Sequence, residues 1–424
     1  MSAGNVIQLP RAEARATGRA EPVAVLDVGT SKICCLIARR RDGRLELLGG
    51  GHQLAEGLRA GEVVDAEAAE ASILAVVHEA EQQAGRTVDE VVVGIAGGRP
   101  ESLIRTVEVE LKGRAVGPAD VAHALAHARA QARADGIETL HALPVTITID
   151  DSQPLRDPRG MVGERLQITI HLVRVASASL HNLLAAIERC HLDVSAVIAA
   201  PYAAGLATLS DDEAAFGAIV LDLGAGTTGV ARFAHGRLQQ VATLPLGANH
   251  ITQDLAFGLS TGRMQAERLK TLYGSVLVRA GDTRQHLEVP GIGDPAQPPV
   301  QIVSRARLTE IIRPRAEEIF QLARARIELD RLPITGRRLV LTGGGSQLEG
   351  AIELAEEMFG MPARIGRARA FGGDFDDLTA ATTAAGLLRW AGEDDGGLTF
   401  GAAAPNHDFT ARLARIGQWL RENF

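Results

Sequence analysis

The chain contains the same short pattern twice. Residues 24–40 read AVLDVGTSKICCLIARR, and residues 218–233 read AIVLDLGAGTTGVARF. Each copy runs from an apolar segment through an aspartate to a turn rich in glycine and hydroxyl-bearing residues, and then into a second apolar segment, which is the pattern of a β-hairpin. A duplicated supersecondary unit fixes the architecture of a chain. The repeat therefore predicts two related lobes that face a shared cleft.

The length of the chain agrees with this prediction. At 424 residues it exceeds what one hydrophobic core usually supports. Hydrophobic residues make up 46% and charged residues 23%, ordinary values for a globular protein with a large core. The formal net charge of −8 argues against a general nucleic-acid-binding protein, because such proteins normally present a basic face. Nucleic acid is therefore not an expected partner.

The cysteines and the termini indicate a cytoplasmic protein. Cys34 and Cys35 are adjacent in a predicted strand, so their side chains point to opposite faces, and with Cys190 they form no disulfide framework. No segment approaches the roughly 18 consecutive apolar residues of a membrane-spanning helix. Residues 1–20 lack the apolar core of a secretory signal and are predicted to be a disordered tail.

The remaining patterns predict a mixed α/β fold. Between the two copies they predict helices over 66–85 and 118–133 and strands over 91–97, 145–149 and 166–175. After the second copy they predict a helix over 266–274, a Pro/Gly-rich loop over 289–299, an amphipathic helix over 307–329, and a strand, glycine turn and helix over 337–360. Pro314 falls within the 307–329 run and is expected to kink that helix or to mark a break in it.

Both hairpin turns have the composition of a polyphosphate site. Backbone N–H groups in a tight glycine turn can reach phosphate oxygens without bulky side chains in the way. The candidate donors are Gly29, Thr30, Ser31 and Lys32 in the first turn and Gly224, Ala225, Gly226, Thr227 and Thr228 in the second. Asp27 and Asp222 occupy matched places just before the turns. Two carboxylates in such a cleft suit a hydrated Mg²⁺, which takes few direct protein ligands.

A third glycine-rich segment completes the predicted nucleotide site. It is predicted to open a helix and to let the backbone lie against a base and ribose, and it consists of Thr342, Gly343, Gly344, Gly345 and Ser346. Glu267 and Lys270 lie three apart on one helical face and could reach the ribose and the base. Each signal alone is weak, because most glycine-rich turns are simple connections. Together they predict ATP binding at a site that is neither a P-loop nor a Rossmann fingerprint.

With these residues in view, the chain resembles the actin/Hsp70 ATPase superfamily and, within it, the FtsA family of bacterial cell-division proteins. The resemblance covers roughly residues 20–390 and the extreme C-terminus. Besides the two hairpins it is carried by LTGGGSQLEG (341–350), AERLKTLYG (266–274), DPRGMVGERL (157–166) and TAATTAAGLL (379–388). It implies an actin-like ATPase fold with duplicated lobes, built on ribonuclease H-like cores, and an extra subdomain inserted in the first lobe.

The resemblance also implies approximate bounds for these parts. The expected divisions are a first lobe core of 21–98, 178–212 and 370–390, an inserted SHS2-like subdomain of 99–177, a second lobe core of 213–247 and 310–369, a smaller subdomain of 248–309, a flexible linker of 391–407 and an amphipathic membrane-targeting helix of 408–424.

The function implied by the resemblance is that of an ATP-binding, polymer-forming cell-division protein. Such a protein binds the C-terminal peptide of the tubulin-like FtsZ, tethers FtsZ filaments to the cytoplasmic face of the inner membrane at the division site, assembles with itself and helps to recruit other division proteins. By the same resemblance, Arg315 lies in the subdomain used for FtsZ contact and self-association. The nearby residues Arg305, Arg307 and Arg313 make a basic cluster that suits an acidic peptide.

The sequence departs from the superfamily pattern where hydrolysis would occur. Ala200 stands before Pro201, where related ATPases carry a side chain that positions the attacking water. Gly229 stands where many relatives have aspartate, and Ala225 where many have glycine. General acid–base help typically contributes about 10²- to 10⁴-fold in rate. We therefore expect weak or negligible ATPase activity and a nucleotide that mainly sets lobe closure and polymer stability.

The last residues have the pattern of an in-plane membrane helix. Phe409, Leu413, Ile416, Leu420 and Phe424 recur at spacings of four, three, four and four, which makes one apolar stripe, and Trp419 flanks it. A glycine-rich linker precedes the stripe, and Trp, Phe and Arg are typical of interfacial helices. A helix docked on its own protein or in a coiled coil is the alternative. One short helix binds a membrane only marginally, so stable attachment requires many copies on a polymer.

Catalytic members of the same fold are the alternative to a scaffold. An Hsp70-like chaperone should carry a substrate-binding β-domain after the ATPase, whereas only a linker and a short helix follow here. A sugar or acetate kinase should show substrate-binding groups in the cleft, and the sequence offers none. A pilus-assembly or cell-shape adaptor of the same fold differs mainly in its extra subdomain and its anchor.

Overall fold

The computed structural model describes residues 22–41, 44–155, 157–293, 299–327, 338–368 and 381–392. The strands are β1 (Pro22–Val28), β2 (Lys32–Arg41), β3 (Arg44–Leu54), β4 (Leu58–Arg59), β5 (Glu62–Val63), β6 (Glu90–Ile95), β7 (Glu101–Glu110), β8 (Ile137–Ile149), β9 (Arg165–Ala176), β10 (Asp193–Ala199), β11 (Ala218–Leu223), β12 (Thr228–Ala234), β13 (Arg237–Leu244), β14 (His286–Pro290), β15 (Val300–Ser304), β16 (Arg338–Thr342) and β17 (Ala363–Ile365). The helices are α1 (Ala66–Ala84), α2 (Pro118–Gln131), α3 (Ser177–Arg189), α4 (Ala200–Thr208), α5 (Asp211–Phe216), α6 (Ala248–Gly258), α7 (Arg263–Tyr273), α8 (Arg305–Arg326), α9 (Ala351–Phe359) and α10 (Thr382–Gly392).

Two sheets repeat one arrangement of five strands. The first has the strand order β10-β6-β1-β2-β3, and in the second β17-β16-β11-β12-β13 take the corresponding places. In each sheet the hairpin strands are antiparallel, whereas the first hairpin strand runs parallel to its other neighbour, β6 or β16. Both hairpins predicted from the sequence are present. The predicted α/β fold with duplicated lobes is therefore confirmed.

Apolar strands covered by helices build the core of the first lobe. Leu26 and Ile33 are completely buried in the central hairpin, as expected for strands with both faces covered. Helix α1 packs on β3 and follows Asp65, whose carboxylate accepts a hydrogen bond from the N–H of Ala68. It ends at Gly85 in a left-handed conformation, a common helix stop.

The inserted subdomain has its own core and consists of β7, α2, β8 and β9. In chain order it interrupts the first lobe between β6 and α3. Helix α2 lies against the sheet and buries Val121 and Leu125 with Ile147 of β8. The predicted insertion is therefore present, and the strands predicted within β8 and β9 are longer than expected.

The sheet of this subdomain continues the sheet of the second lobe. The full order is β17-β16-β11-β12-β13-β7-β9-β8, and β13 meets β7 at a single residue pair, Ala242 with Glu101. The hydroxyl of Ser102 extends this connection, because it donates to the carbonyl of Val241 at 3.0 Å and accepts from the N–H of Val241 at 2.6 Å. The insertion thus belongs to the first lobe in sequence and to the second lobe in sheet pairing.

In the smaller subdomain of the second lobe, a strand includes the first residues of the segment 289–299, where a loop was predicted. Val289 is completely buried and pairs with Gln301, and Pro290 pairs with Val300. Both residues belong to β14, so the loop prediction was wrong for them. Burial of Val289 in the core outweighs the breaking tendency of a proline that lies at the end of its strand.

Helix α8 continues through Pro314, so the break, one of the two outcomes expected there, was wrong. The helix runs from Arg305 to Arg326 with Pro314 in its interior. Apolar residues at helical spacing on both sides of the proline are buried in the same core: Leu308, Ile312, Ala316, Ile319 and Phe320. Proline costs a helix interior about 3 kcal/mol, whereas each fully buried Leu, Ile or Phe contributes about 1.5–3 kcal/mol. Packing therefore carries the helix through the proline.

Several expected parts lie outside the described residues. These are the tail 1–20, the linker from residue 393 onward and the C-terminal helix with its apolar stripe. Helix α10 includes residues 391 and 392, so it extends into the predicted linker. Among the described helices, none has both the length and the apolar character needed to cross a bilayer.

Candidate nucleotide site

The two hairpin turns have identical register. Val28 pairs with Ile33 around the turn 29–32, and Leu223 pairs with Thr228 around the turn 224–227. The first glycine of each turn is under the same constraint: a Cβ on Gly29 would lie 2.8 Å from the Lys32 carbonyl oxygen, and one on Gly224 would lie 2.8 Å from the Thr227 carbonyl oxygen. The repeat seen in the sequence is therefore a repeat of backbone geometry.

The two turns touch each other. A Cβ on Gly226 would lie 2.5 Å from Oγ1 and 2.6 Å from Cγ2 of Thr30. Real Cβ atoms do not approach other atoms so closely, so only glycine fits at position 226 unless Thr30 moves. The predicted phosphate-binding residues of both lobes are brought together at one place.

The first turn is held by side-chain and backbone contacts within the first lobe. Thr30 Oγ1 accepts a hydrogen bond from the N–H of Gly61 at 2.9 Å. The carbonyl of Ser31 accepts from the N–H of Ala55 at 3.0 Å. Ser31 itself is exposed and Lys32 is half-buried. The turn therefore presents a hydroxyl and an ammonium group near the contact with the second turn.

The second turn is held by the beginning of α6. The N–H groups of Ala248 and Asn249 donate to the carbonyls of Gly224 at 2.9 Å and Ala225 at 2.8 Å. Because these carbonyls are satisfied by a helix N-terminus, the turn is free to present N–H groups on its other side. Thr228 is completely buried, and its hydroxyl donates to the carbonyl of Leu246 at 2.8 Å. That bond uses the hydroxyl hydrogen that was expected to face a phosphate.

The matched carboxylates have raised pKa values. Burial and, to a smaller extent, the charge of Asp222 raise the pKa of Asp27 to about 7, and Lys32 opposes the shift. Burial raises the pKa of Asp222 to about 6, against Lys32 and against a hydrogen bond from Thr383, whose hydroxyl lies 3.4 Å from Asp222 Oδ2. Both side chains remain partly accessible. A divalent cation with its waters would relieve this repulsion, so the residues fit the expected Mg²⁺.

The third glycine turn lies beside the second hairpin. Strand β16 is parallel to β11 and places Thr342 next to Asp222. Gly343 has a positive φ of 77°, and a Cβ there would meet Asp222 and the carbonyl oxygen of Leu223, the latter at 2.7 Å. A Cβ on Gly344 would meet nothing within 4 Å. The backbone at Gly344 is therefore open for a flat ligand to approach.

The element that follows these glycines differs from the prediction. They open a single 3-10 turn, Gly344–Gln347, and helix α9 begins only at Ala351. The hydroxyl of the buried residue Ser346 donates to the carbonyl of Gly343 at 2.7 Å. This bond closes the turn locally, which explains why a short 3-10 helix stands where an α-helix was expected.

Glu267 and Lys270 form a pair on α7 that is fastened to α6. Lys270 Nζ lies 2.7 Å from the Glu267 carboxylate and donates to Thr252 Oγ1 at 2.8 Å and to the Ala248 carbonyl at 3.3 Å. Since Ala248 also holds the second hairpin turn, the pair lies on the α6 side of the candidate site. A small apolar cavity lies between α6, α8 and the third glycine turn, lined in part by Leu223, Ala248, Val276, Phe320 and Gly345.

Three residues beside the candidate site were not predicted from the sequence. Thr383, near the start of α10, supplies the hydrogen bond to Asp222, and a Cβ on Gly94 of β6 would lie 3.5 Å from Asp27 Oδ1. Thr382 accepts from Thr342 at 3.0 Å. The adjacent threonines in a helix of small residues were a visible signal. Their distance in the chain from both hairpins concealed the contact.

The departure at Gly229 has a structural cause. A Cβ on Gly229 would lie 2.6 Å from Cγ of Pro201. Pro201 and Ala200 are buried at the beginning of α4, so this helix packs closely on the second hairpin. An aspartate at position 229 would not fit without moving α4.

The expected basic cluster on α8 is balanced by acids. Arg315 pairs with Asp254 at 2.7 Å and with Glu318. The neighbouring pairs are Arg305 with Asp282 and Glu349, Arg307 with Glu310, and Arg313 with Glu317 and Glu357. The arginines therefore present guanidinium groups already engaged with carboxylates, which differs from the open basic surface that the sequence suggested. A role of Arg315 in partner binding stays a prediction.

Comparisons with known proteins point to one family. A family model described as cell division protein FtsA matches residues 219–387, and a model described as the SHS2 domain inserted in FtsA matches residues 97–174. The cell division protein FtsA of Agrobacterium fabrum is 38% identical over 433 residues, covering 98% of each chain. The corresponding protein of Pseudomonas aeruginosa is 34% identical, covering 94% of this chain and 97% of its own.

Solved structures show the same fold. The PilM-PilN type IV pilus biogenesis complex superposes with a TM-score of 0.63 at 18% identity, covering 88% of this chain and 99% of the other. MreB5 of Spiroplasma citri bound to ADP superposes with a TM-score of 0.54 at 12% identity, covering 87% and 95%. The predicted actin-like ATPase fold with an SHS2 insertion is confirmed.

Proposed function

This chain belongs to the FtsA family of bacterial cell division proteins, and from that premise we propose that it binds MgATP between its lobes, assembles into filaments and tethers FtsZ to the inner membrane. The observation that carries the nucleotide part is the contact between Gly226 and Thr30, which places two phosphate turns of identical register at one point. The MreB5 relative of the same fold is bound to ADP, which supports the proposal.

Mg²⁺ is assigned to Asp27 and Asp222 through bridging waters. Both carboxylates are held in a protein environment that raises their pKa values, and one ammonium group, Lys32, opposes the shift in each. A cation that arrives with a nucleotide would lower the cost of keeping both carboxylates ionised. The base and ribose are assigned to the open backbone at Gly344 and to the pair of Glu267 and Lys270.

ATP turnover is proposed to be slow. Ala200 offers only a methyl group at the beginning of α4, and Pro201 packs against Gly229. No carboxylate or amide at these two positions can orient an attacking water. The nucleotide then acts by holding the lobes together, and a closed pair of lobes forms the unit of the filament.

Membrane attachment and FtsZ binding are proposed for two separate regions. The apolar stripe of residues 408–424 is assigned to the membrane surface, and the subdomain that carries Arg315 to the acidic C-terminal peptide of FtsZ. Filament formation would multiply a weak single-helix contact into stable attachment. A pull-down of the full chain with the FtsZ peptide tests the second assignment directly.

Liposome pelleting combined with nucleotide titration tests the proposal. We expect the full chain to pellet with anionic vesicles in the presence of MgATP, and Leu413→Glu to abolish pelleting without a change in ATP affinity. Gln418→Glu is the matched control, because it adds one negative charge on the opposite side of the helix, and it should still pellet. Fast ATP turnover without membrane binding would instead favour a chaperone or kinase of the same fold. Pelleting of Leu413→Glu would contradict the membrane assignment.

A further inference from the structure

One carboxylate holds the inserted subdomain at both of its ends. Glu62 Oε1 accepts a hydrogen bond from the N–H of Gly98 at 3.2 Å and from the hydroxyl of Ser179 at 3.0 Å. Gly98 lies in the connection that enters the subdomain from β6, and Ser179 lies in the first turn of α3, where the chain has left the subdomain. We call this arrangement the joint: Glu62, Gly98 and Ser179.

The chain segment that enters the subdomain and the segment that leaves it are also hydrogen-bonded to each other at the joint. The N–H of Ala176 donates to the carbonyl of Gly98 at 2.9 Å. Gly98 has a positive φ of 71°, and a Cβ there would lie 2.5 Å from Val175 Cγ2 and 3.0 Å from Ser179 Cβ. Entry and exit therefore move as one body, and Glu62 connects that body to β5 of the first lobe.

The other side of the joint leads to the nucleotide cleft. Gly61, directly before Glu62, donates its N–H to Thr30 Oγ1 at 2.9 Å. A Cβ on Gly61 would lie 2.6 Å from the nitrogen of Gly97, so these two backbones are in close contact. Thr30 in turn touches Gly226 of the second phosphate turn. An unbroken series of contacts thus runs from the meeting point of the two phosphate turns to the joint.

A second attachment fixes the subdomain to the first lobe. His141 of β8 is buried, its Nε2 accepts from the N–H of Ala199 at 3.1 Å, and its ring meets Tyr202 of α4 edge-on at 5.6 Å. Helix α4 also carries Pro201, which packs on Gly229 of the second hairpin. Both attachments to the first lobe are therefore continuous with the cleft.

The attachment to the second lobe is centred on one strand edge. It includes the strand pair Ala242 with Glu101 and the two bonds of Ser102 to Val241, and Val173 and Val241 share one apolar core. Arg237 adds a bond from Nη1 to the carbonyl of Val145 at 3.0 Å. A change in the angle between the lobes must deform one of the two attachments. The single strand pair has fewer contacts to lose than a full strand pairing would have.

We propose that Glu62 is a positioning residue that makes the orientation of the inserted subdomain depend on the nucleotide. When MgATP changes the relative position of the two hairpin turns, the joint keeps the subdomain with the first lobe, and the displacement appears between the subdomain and the second lobe. This inference rests on the proposed nucleotide binding. It adds a second consequence of nucleotide binding, which is a rotation of the inserted subdomain.

Two distances measured in the same protein test the proposal. Lys112 of the subdomain and Met264 of the second lobe are highly exposed, and Leu74 of α1 in the first lobe is also exposed. The native cysteines are all buried, so spin labels attach selectively to K112C paired with M264C or with L74C. Electron–electron distance measurements on the full chain are made without nucleotide, with MgADP and with a non-hydrolysed MgATP analogue. Nucleotide affinity is measured on the same samples.

We expect the K112C–M264C distance to shift with the MgATP analogue and the K112C–L74C distance to stay constant. In Glu62→Ala the K112C–L74C distance should shift as well, because the subdomain then keeps only the His141 attachment to the first lobe. Glu62→Gln should restore the native pattern, since its amide oxygen can accept both bonds. Ser179→Ala removes one of the two donors and should give an intermediate result. Glu62 is exposed, so these variants are expected to fold.

Three results would overturn the proposal. If the chain binds nucleotide with normal affinity and neither distance changes, the coupling is wrong while the nucleotide site stands. If Glu62→Ala keeps the native pattern, Glu62 does not transmit the motion. If the affinity measurement shows no nucleotide binding at all, the proposed function fails together with the coupling.

Discussion

The two hairpin turns of the candidate nucleotide site share a backbone geometry and differ in the side chains at their next two positions. In the matched positions, Thr30 and Ser31 of the first turn correspond to Ala225 and Gly226 of the second. The first turn carries the larger side chains, and the second leaves space for them, since Thr30 occupies the volume that a side chain at Gly226 would need. The comparison teaches that the halves of this duplication are complementary and cannot be exchanged.

The contacts that hold the two turns in place also differ. The first turn is held through the Thr30 hydroxyl and the Ser31 carbonyl, by single contacts to neighbouring loops. The second turn is held by the first N–H groups of α6, whose geometry is fixed by the whole helix. The first turn therefore has the freedom to move with a ligand, whereas the second is a fixed platform.

The largest expected effect comes from breaking this complementarity. Gly226→Ala introduces a Cβ 2.5 Å from Thr30 Oγ1 and should force the turns apart. We expect ATP affinity to fall on the order of 100-fold, equivalent to about 2.7 kcal/mol, in a titration with a fluorescent ATP analogue. The double variant Thr30→Gly with Gly226→Ala should recover part of the loss, because the clash is removed. Equal affinities of the single and double variants would show that the turns act independently.

The next largest expected effect is a loss of MgATP affinity when either carboxylate is removed. Asp27→Asn and Asp222→Asn should each weaken MgATP binding by roughly tenfold, about 1.4 kcal/mol, and should weaken ATP binding without Mg²⁺ much less. Isothermal titration with and without Mg²⁺ measures both. Since only Asp222 receives the Thr383 hydroxyl, Thr383→Val should resemble a mild form of Asp222→Asn. A loss that is independent of Mg²⁺ would contradict the metal assignment.

The pH dependence of stability sharpens the comparison further. The pKa values of Asp27 and Asp222 are raised to about 7 and about 6, so the folded protein without nucleotide holds protons that the unfolded chain releases near pH 4. Each aspartate therefore lowers stability as pH rises from about 4 to its own folded pKa, to a limit of about 3–4 kcal/mol. The Asp27 effect should extend to higher pH than the Asp222 effect.

The pH dependence of the stability of the native chain would not by itself show the aspartate effect, because two histidines act in the opposite direction. Burial lowers the pKa of His141 to about 3 and of His171 to about 4, and both groups therefore raise stability as pH rises toward 6.5. The difference between Asp27→Asn and the native chain in urea unfolding at pH 5 and pH 8 isolates the carboxylate. Asp27→Asn should be the more stable protein at pH 8, and the advantage should shrink at pH 5. An advantage that is the same at both pH values would contradict the raised pKa.

The smallest expected effect on ATP affinity concerns Lys270, on the α6 side of the candidate site. Lys270→Met removes the ammonium that bonds Glu267, Thr252 and the Ala248 carbonyl, and should weaken ATP binding about threefold, roughly 0.6 kcal/mol. Inorganic triphosphate, which has no base or ribose, should bind the variant and the native chain equally well in a competition titration. An equal loss of triphosphate affinity would mean that Lys270 acts by supporting α6 and the second turn, and not by contacting the base or ribose.

Much of the fold followed from local patterns in the chain. The hairpins, helix α1 and the strand before Thr342 were all readable, because residues close in sequence decide alternation, capping and glycine turns. The duplicated aspartate before each turn also predicted the shared cleft. The C-terminal stripe and its proposed membrane contact rest on the sequence alone, since those residues lie outside the described part of the chain.

Tertiary structure decided the rest, because the determining contacts join residues far apart in the chain. Pro314 lies inside a continuous helix because apolar residues on both sides share one core. Gly229 is glycine because Pro201 packs against it. Arg305 and Arg315 of α8 pair with Asp282 and Asp254, acids from other parts of the chain. The inserted subdomain takes its chain from one lobe and its sheet from the other, since edge strands pair according to position in space and leave no periodic signal in the sequence.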